Sequence, residues 1–163
     1  MKSDRLQTQR LELVLPTVEE ALAGIDAMSP AEKEYLSEDW LELVRNATTS
    51  DPWIHGFTIA RREDGVVVGQ CGFKGPPSSD GIVEIAYAIH PDHQGHGYAT
   101  EAAAALVDYA FTNEVVSAVF AHTLPADNAS TRVLTKCGFQ RVGEVMDPDD
   151  GLVWRWQKRD NSP

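Results

Sequence analysis

The residues with the clearest chemistry lie between Glu84 and Thr100. Pro91 ends an apolar strand because it has no N–H, Gly95 and Gly97 permit backbone torsions closed to other residues, and Tyr98 opens an alanine-rich run of high helix propensity. A loop that feeds straight into a helix presents the unpaired N–H groups and positive dipole end of the first turn. Together these hold an anion such as a pyrophosphate. The cradle residues are Gln94, Gly95, His96, Gly97, Tyr98, Ala99 and Thr100. Just upstream, Glu84 is the only charge in the stretch 82–89. A carboxylate among apolar neighbours has a raised proton affinity, which suits it to accept a proton from a substrate. Its other account is structural, a carboxylate satisfied by a neighbouring side chain or amide. Downstream, Asn128 and Ser130 are of the types preferred at helix N-termini, so each is either a cap or a ligand contact.

Two ligands compete for such a cradle. A dinucleotide fingerprint wants a third glycine where Thr100 stands and an acid near Val115, a place that Glu114 fills only loosely. A coenzyme A loop wants Gln or Arg, then Gly, then Gly or Ala, at the spacing that Gln94, Gly97 and Ala99 provide. A nucleotide-dependent oxidoreductase is disfavoured by Thr100 and by the hairpin-rich order of elements. His90, His93 and His96 are spaced by three around the same loop, but zinc needs a fourth ligand and a geometry that a phosphate loop does not offer. No metal is expected.

The elements that position these groups follow from periodicity and turn chemistry. A strand is expected over 11–15, where Leu11, Leu13 and Leu15 alternate with Glu12 and Val14 before Pro16. Helices are expected over 18–27 and 30–47, opened by capping boxes at Thr17 with Glu20 and Ser29 with Glu32. Stretches 57–61 and 66–72 flank Glu63-Asp64-Gly65, a hairpin signal, and 74–81 is a flexible connection. Within 82–89, Val83, Ile85, Tyr87 and Ile89 share one face, and Ile82, Glu84, Ala86 and Ala88 the other. The cradle helix is expected to reach Phe111, followed by a strand over 116–123 and a helix that Asn128 caps and Gly138 ends. A last hairpin, 139–145 with 152–157, turns around 147–151, and the tail beyond 158 is expected to fray.

These segments, in this order, resemble the Gcn5-related N-acetyltransferase (GNAT) family and its ribosomal-protein N-terminal acetyltransferase (RimJ/RimL-like) branch. The likeness is carried by Thr8-Gln9-Arg10-Leu11-Glu12-Leu13, by Val83-Glu84-Ile85-Ala86-Tyr87 before the Gln94-x-x-Gly97-x-Ala99 loop, and by Asn128-Ala129-Ser130-Thr131-Arg132-Val133-Leu134-Thr135-Lys136-Cys137-Gly138-Phe139. It spans roughly residues 6 to 156. It implies a mixed α/β (α+β) fold whose twisted, mostly antiparallel sheet has about seven strands flanked by helices, with two central strands splayed. It also implies an acetyl-CoA-dependent N-acetyltransferase acting on a primary amine, either a protein N-terminus or a small molecule, by direct transfer in a ternary complex. On that likeness the amides of 94–100 grip the pyrophosphate, and the strand edge at Ala88, Ile89 and His90 hydrogen-bonds the pantetheine. Glu84 matches the branch's candidate base, Asn128 contacts the pantetheine arm, and Ser130 lies near the thioester sulfur. Many members carry a tyrosine acid where this chain has Leu134. Ser130, a water, or unaided departure of the thiolate are then the alternatives, and a binding module that kept the cradle and lost turnover is the rival function. Family members often dimerise, and a homodimer is the corresponding expectation.

Composition bounds the rest. A chain of 163 residues, 42% of them hydrophobic, is the size of one domain, here 1–163 with its core over about 6–157. A net charge of −11 argues against a nucleic-acid partner and suits a cationic substrate. No apolar run is long enough for a bilayer and the first residues carry no apolar signal core, so a cytoplasmic protein with no membrane partner is expected. Cys71 and Cys137 have no Cys-x-x-Cys partner and are expected reduced and buried. Of Trp40, Trp53, Trp154 and Trp156, some belong to the core, and Trp40 or Trp53 is a candidate lining for an acceptor cleft.

Overall fold

The computed structural model describes residues 5–34, 38–48, 51–148 and 151–159. In chain order the elements are β1 (Arg5–Gln7), β2 (Leu11–Val14), α1 (Val18–Asp26), α2 (Pro30–Lys33), α3 (Glu38–Asn46), α4 (Pro52–His55), β3 (Phe57–Arg61), β4 (Val67–Phe73) and β5 (Ile82–Ile89). A 3₁₀ turn (Pro91–His93) leads to α5 (Tyr98–Phe111), β6 (Ala118–Thr123), α6 (Ala129–Lys136), β7 (Gln140–Asp147) and β8 (Gly151–Arg159). None of the described helices is long and apolar enough to cross a membrane.

The strands form one sheet of eight in the order β1-β2-β3-β4-β5-β6-β8-β7. About seven are expected, and the mixed, mostly antiparallel sheet flanked by helices is the one found. The addition is β1, three residues in which Leu6 is the single apolar side chain, too short to show a period in sequence. Every pairing is antiparallel except β5 with β6, which α5 joins by the crossover that parallel neighbours require. Where one helix is expected over 30–47, α2 and α3 are separate, and residues 35–37 between them lie outside the described residues. So do Asp149 and Asp150 of the last turn, the Glu32 side chain of the second capping box, and the tail from 160. The box at Thr17 forms as expected, with Thr17 Oγ1 accepting from the Glu20 N–H and Glu20 Oε1 from that of Thr17.

The core lies on one face of the sheet. Leu11 and Leu13 of β2, Phe57 and Ile59 of β3, Cys71 and Phe73 of β4, and Val83 and Ile85 of β5 pack under Ala102, Ala103 and Leu106 of α5 and Leu134 of α6. Alanines on the inner side of α5 let the helix lie close to the sheet, so its N-terminus stands fixed at the end of β5. Trp53 joins this core, its ring 4.6 Å from Phe73 and 5.4 Å from Tyr109. Trp156 is buried and donates to Thr123 Oγ1 at 3.0 Å. Trp40 belongs to a second cluster with Ile25, Leu41, Val44 and Ile54. Both cysteines are free and buried, and burial pushes the Cys71 thiol well above its ordinary range.

Candidate functional site

The site begins where β5 ends. The His90 N–H donates to Val68 of β4, and Pro91 turns the chain through the 3₁₀ turn into the loop. Gly95 and Gly97 both have φ of +82°, the left-handed region that side chains avoid, and Gly97 caps α5 with no side chain bonded to the first turn. The loop is exposed from Gln94 to Gly97, with Tyr98, Ala99 and Thr100 half-buried behind it. A Cβ on Gly97 would meet Arg10 Nη2 at 3.3 Å, so the backbone lies bare between that guanidinium and solvent. First-turn amides open to a ligand beside glycines that keep the approach clear suit a pyrophosphate.

Two residues that sequence reasoning gave no role hold this loop in shape. Glu101, an acid in the first turn of α5, would repel a bound anion if it faced the loop. Its carboxylate instead turns back to accept from the Thr8 hydroxyl, from the Arg10 N–H at 2.9 Å and from Arg10 Nε at 2.9 Å. Burial pushes the Glu101 carboxyl up, but the Thr8 and Arg10 bonds outweigh it and hold the group below the ordinary glutamate range. Arg10 also donates from Nη1 to the His96 carbonyl at 2.8 Å and lies 4.9 Å from the Tyr98 ring centre. The Thr8-Gln9-Arg10 motif is thus a brace for the cradle, but Arg10 and Glu101 meet only in the fold. Arg10, Arg61, Arg62, Glu63 and Tyr98 border a recess of about 420 Å³ beside the loop, with Arg10 paired to Glu101 and Arg61 to Asp64.

The second part of the site is a fork in the sheet. β5 pairs with β6 only from Ile82↔Ala118 to Glu84↔Phe120, whereas it stays paired with β4 as far as Ile89. The Lys74 N–H donates to the Glu84 carbonyl and the His90 N–H to the Val68 carbonyl, so the peptide groups of even-numbered residues turn to β4. By alternation those of Ile85, Tyr87 and Ile89 face the open slot. Of the three residues expected to line the pantetheine, Ile89 therefore offers its backbone, while Ala88 and His90 are turned to β4. Gln94 Nε2 donates to the Ile89 carbonyl at 3.0 Å and ties the loop to the slot. Four strand steps from Ile89 to Ile85 cover about 13 Å, a run comparable with an extended pantetheine arm.

Glu84 stands at the fork, on the face opposite the core. Its Oε2 accepts from Lys74 Nζ at 2.9 Å and lies 3.0 Å from His122 Nδ1 of β6. Arg155 Nε donates to His122 Nε2 at 3.1 Å, which leaves the ring proton on Nδ1 and directs it at Glu84. The sequence alone gives His122, Lys74 and Arg155 no role in the site. These three residues come from β6, β8 and the segment after β4, so no local pattern announces them. Ala86 and Ala88, small and exposed, continue this face of β5 toward the cradle.

Ser130 lies across the sheet from Glu84. The Tyr87 hydroxyl is 3.0 Å from Ser130 Oγ and donates to the Ser130 carbonyl at 3.3 Å, linking the slot edge to the start of α6. Burial raises the Tyr87 phenol above its ordinary range, so it keeps its proton at neutral pH. Asn128 serves as the cap, its Oδ1 accepting from the Thr131 N–H and Thr131 Oγ1 from its own, a reciprocal box. Any contact of Asn128 with a ligand would come from its amide NH₂. Leu134 is fully buried and offers no proton. Of two larger recesses, of about 680 and 670 Å³, the first lies away from the site, with Asp39 and Glu42 in its lining, and the second lies behind the brace, with Thr8, Glu101 and Asp108 in its lining.

The profile of the acetyltransferase (GNAT) domain matches residues 13–140, which include the cradle, Lys74, Glu84, His122 and Ser130. An uncharacterized N-acetyltransferase p20 of Bacillus licheniformis is 30% identical over 111 residues, 68% of this chain and 62% of that relative. The matches span between 48% and 62% of the length of the first three curated relatives. Among solved structures, the ribosomal-protein-S5-alanine acetyltransferase of Vibrio fischeri superposes with a TM-score of 0.70 at 13% identity, covering 99% of this chain and 100% of its own. The aminoglycoside acetyltransferase AAC(6')-Ib in complex with coenzyme A gives 0.63 at 18% identity, over 91% and 94%. At these identities the structures establish a shared fold.

Proposed function

The chain belongs to the GNAT acetyltransferase family, and from that premise we propose that it transfers the acetyl group of acetyl-CoA to a primary amine, directly, within a ternary complex. The observation that carries the reading is the pairing of a bare helix N-terminus with a fork one pantetheine length away. The amides of 94–100 take the pyrophosphate, the slot-facing peptides of Ile85, Tyr87 and Ile89 bind the arm as an added strand, and the thioester rests at the fork.

Chemistry there needs a neutral amine, support for an oxyanion and a proton for the thiolate. Glu84 binds the incoming ammonium and takes its proton, with His122 holding the carboxylate in place. From the other face Ser130, backed by the protonated Tyr87 phenol, supplies the thiolate's proton. Base and acid on opposite faces of the sheet suit a transfer in which the amine adds to the thioester carbonyl beside Glu84 and the thiolate expelled from the tetrahedral intermediate is protonated from the Ser130 side. We place the acceptor among cationic amines, an N-terminal peptide of the kind the RimJ/RimL-like branch implies or a small polyamine, because the chain is acidic and its family likeness allows both.

Thermal shift with acetyl-CoA and with NAD, followed by thiol release across a panel of amines and N-terminal peptides, tests the reading. Stabilisation by acetyl-CoA alone and turnover on at least one amine are expected. Stabilisation with no turnover on any amine would instead favour the binding module, the reading that the buried Leu134 supports.

A further inference from the structure

We propose that Lys74 is an internal acceptor, and that the protein acetylates its own Lys74 Nζ when acetyl-CoA is bound and no external amine is present. The inference rests on the acetyltransferase reading above and deepens it.

Lys74 follows β4, on the far side of β5 from the slot, yet its ammonium shares one oxygen of Glu84 with His122 of β6. Lys74 stands directly opposite Glu84 in the β4–β5 register, so its side chain lies on the open face and places a primary amine at the Glu84 carboxylate, beside the fork. It is 2.9 Å from the carboxylate assigned to deprotonate the acceptor, the place that an incoming ammonium would occupy. The lysine side chain is 55% exposed, which leaves Nζ room to turn from Glu84 toward the slot. Between Lys74 and Glu84 the loop 75–81 supplies two positive-φ glycines, Gly75 and Gly81, that turn the chain back on itself.

The step balances without another reactant. One of the three ammonium protons passes to Glu84 and then to water. The freed lone pair forms a C–N bond to the thioester carbon, the C–S bond breaks, and its electron pair leaves with sulfur. A second ammonium proton ends on the departing thiolate as free coenzyme A thiol, and the third stays on the amide nitrogen. The product is Nε-acetyl-Lys74, which has lost the charge that held Glu84.

The test incubates the full chain with isotopically labelled acetyl-CoA, without acceptor, and follows label at each lysine by peptide mass spectrometry. Lys33 and Lys136, equally exposed, report uncatalysed acetylation in the same molecule. Lys74 is expected to label at least about tenfold faster than either, a small part of what fixed proximity confers on well-oriented groups. Its rate constant should not change with protein concentration, and Glu84→Gln should slow it. The His122 imidazole signals should shift as label accumulates in the wild type and stay constant in Lys74→Arg. Equal labelling of the three lysines, or a Lys74 rate that rises with protein concentration, overturns the proposal. If free amines are acetylated while Lys74 is not, this inference falls alone. If acetyl-CoA neither labels nor stabilises the protein, the acetyltransferase reading falls with it.

Discussion

The cradle and the fork lie at opposite ends of the same half-strand and are built on different principles. The cradle is made of backbone. Its exposed first-turn groups are amides, its determinants are two glycines and a helix start, and they are contiguous in the chain. The fork is made of side chains. Lys74, Glu84, His122 and Arg155 meet because three strands pair in a given register, and a slip of one residue would send Glu84 to the core face. Backbone sites are thus set by torsions that few residues can adopt, and side-chain sites by long-range pairing that many sequences can deliver. Donor recognition should accordingly fail through glycine, and transfer through charge.

The largest expected effect is at the fork. Glu84→Gln keeps the shape and removes the base, so kcat should fall about 100-fold while the thermal shift by acetyl-CoA is retained. Turnover unchanged across pH would remove Glu84 as the base and dissolve the contrast. At the cradle, Gly97→Val forces a β-branched residue to φ of +82° against the Arg10 guanidinium. A left-handed residue costs about 1–2 kcal/mol, or about tenfold in acetyl-CoA affinity. Calorimetry should register that loss, with the acceptor KM unmoved. A mutant that loses acceptor affinity instead would show that the two regions are not separable.

What could be seen in sequence follows the same division. The cradle, the strand faces of β5 and the helix that Asn128 caps were legible because each depends on neighbours within a turn or a pleat. β1 was not, having one apolar residue in three, nor was α4, a single turn set by the Asp51 cap on the Trp53 N–H and by Pro52. Glu84, the proposed base, stands out as the lone charge in an apolar strand, but its partners do not. Lys74 reads as the edge of a loop, and His122 as one more residue in an apolar strand. The brace of the cradle was hidden for the same reason, since Arg10 and Glu101 are 91 residues apart. The sequence suggested Asn128 as a contact for the coenzyme arm, and the fold employs its oxygen as a cap, a competition inherent in that residue type.

A finer effect probes how the fork is tuned. Arg155→Met removes the donor to His122 Nε2, so the ring no longer has its proton fixed on Nδ1 and directed at Glu84. The loss of one hydrogen bond of about 1 kcal/mol predicts a fall in kcat of about fivefold. Nitrogen NMR of His122 should show two tautomers where the wild type shows one. If the tautomer mixes and kcat holds, His122 is a scaffold for Glu84 and nothing more.

The smallest expected effect tests whether the cradle too depends on charge, through its brace. Glu101 has a folded-state pKa below its ordinary value of 4.5, because the bonds from Thr8 and Arg10 outweigh the upward push of burial. A carboxylate depressed on folding stabilises the protein above its unfolded value, and that stabilisation disappears as pH falls through the folded one. Glu101→Gln should therefore lower Tm at neutral pH by about 2–4 °C, the equivalent of one net kcal/mol at this chain length. The gap to wild type should begin to narrow below pH 4.5 and close at lower pH, since protonated Glu101 and glutamine are alike uncharged. Because Arg10 joins that carboxylate to the His96 carbonyl, acetyl-CoA affinity should weaken over the same acid window in the wild type and stay flatter in the variant. A Tm gap that persists unchanged into acid would assign the stabilisation to the shape of the Glu101 side chain. The cradle would then be a pure backbone device and its contrast with the fork complete.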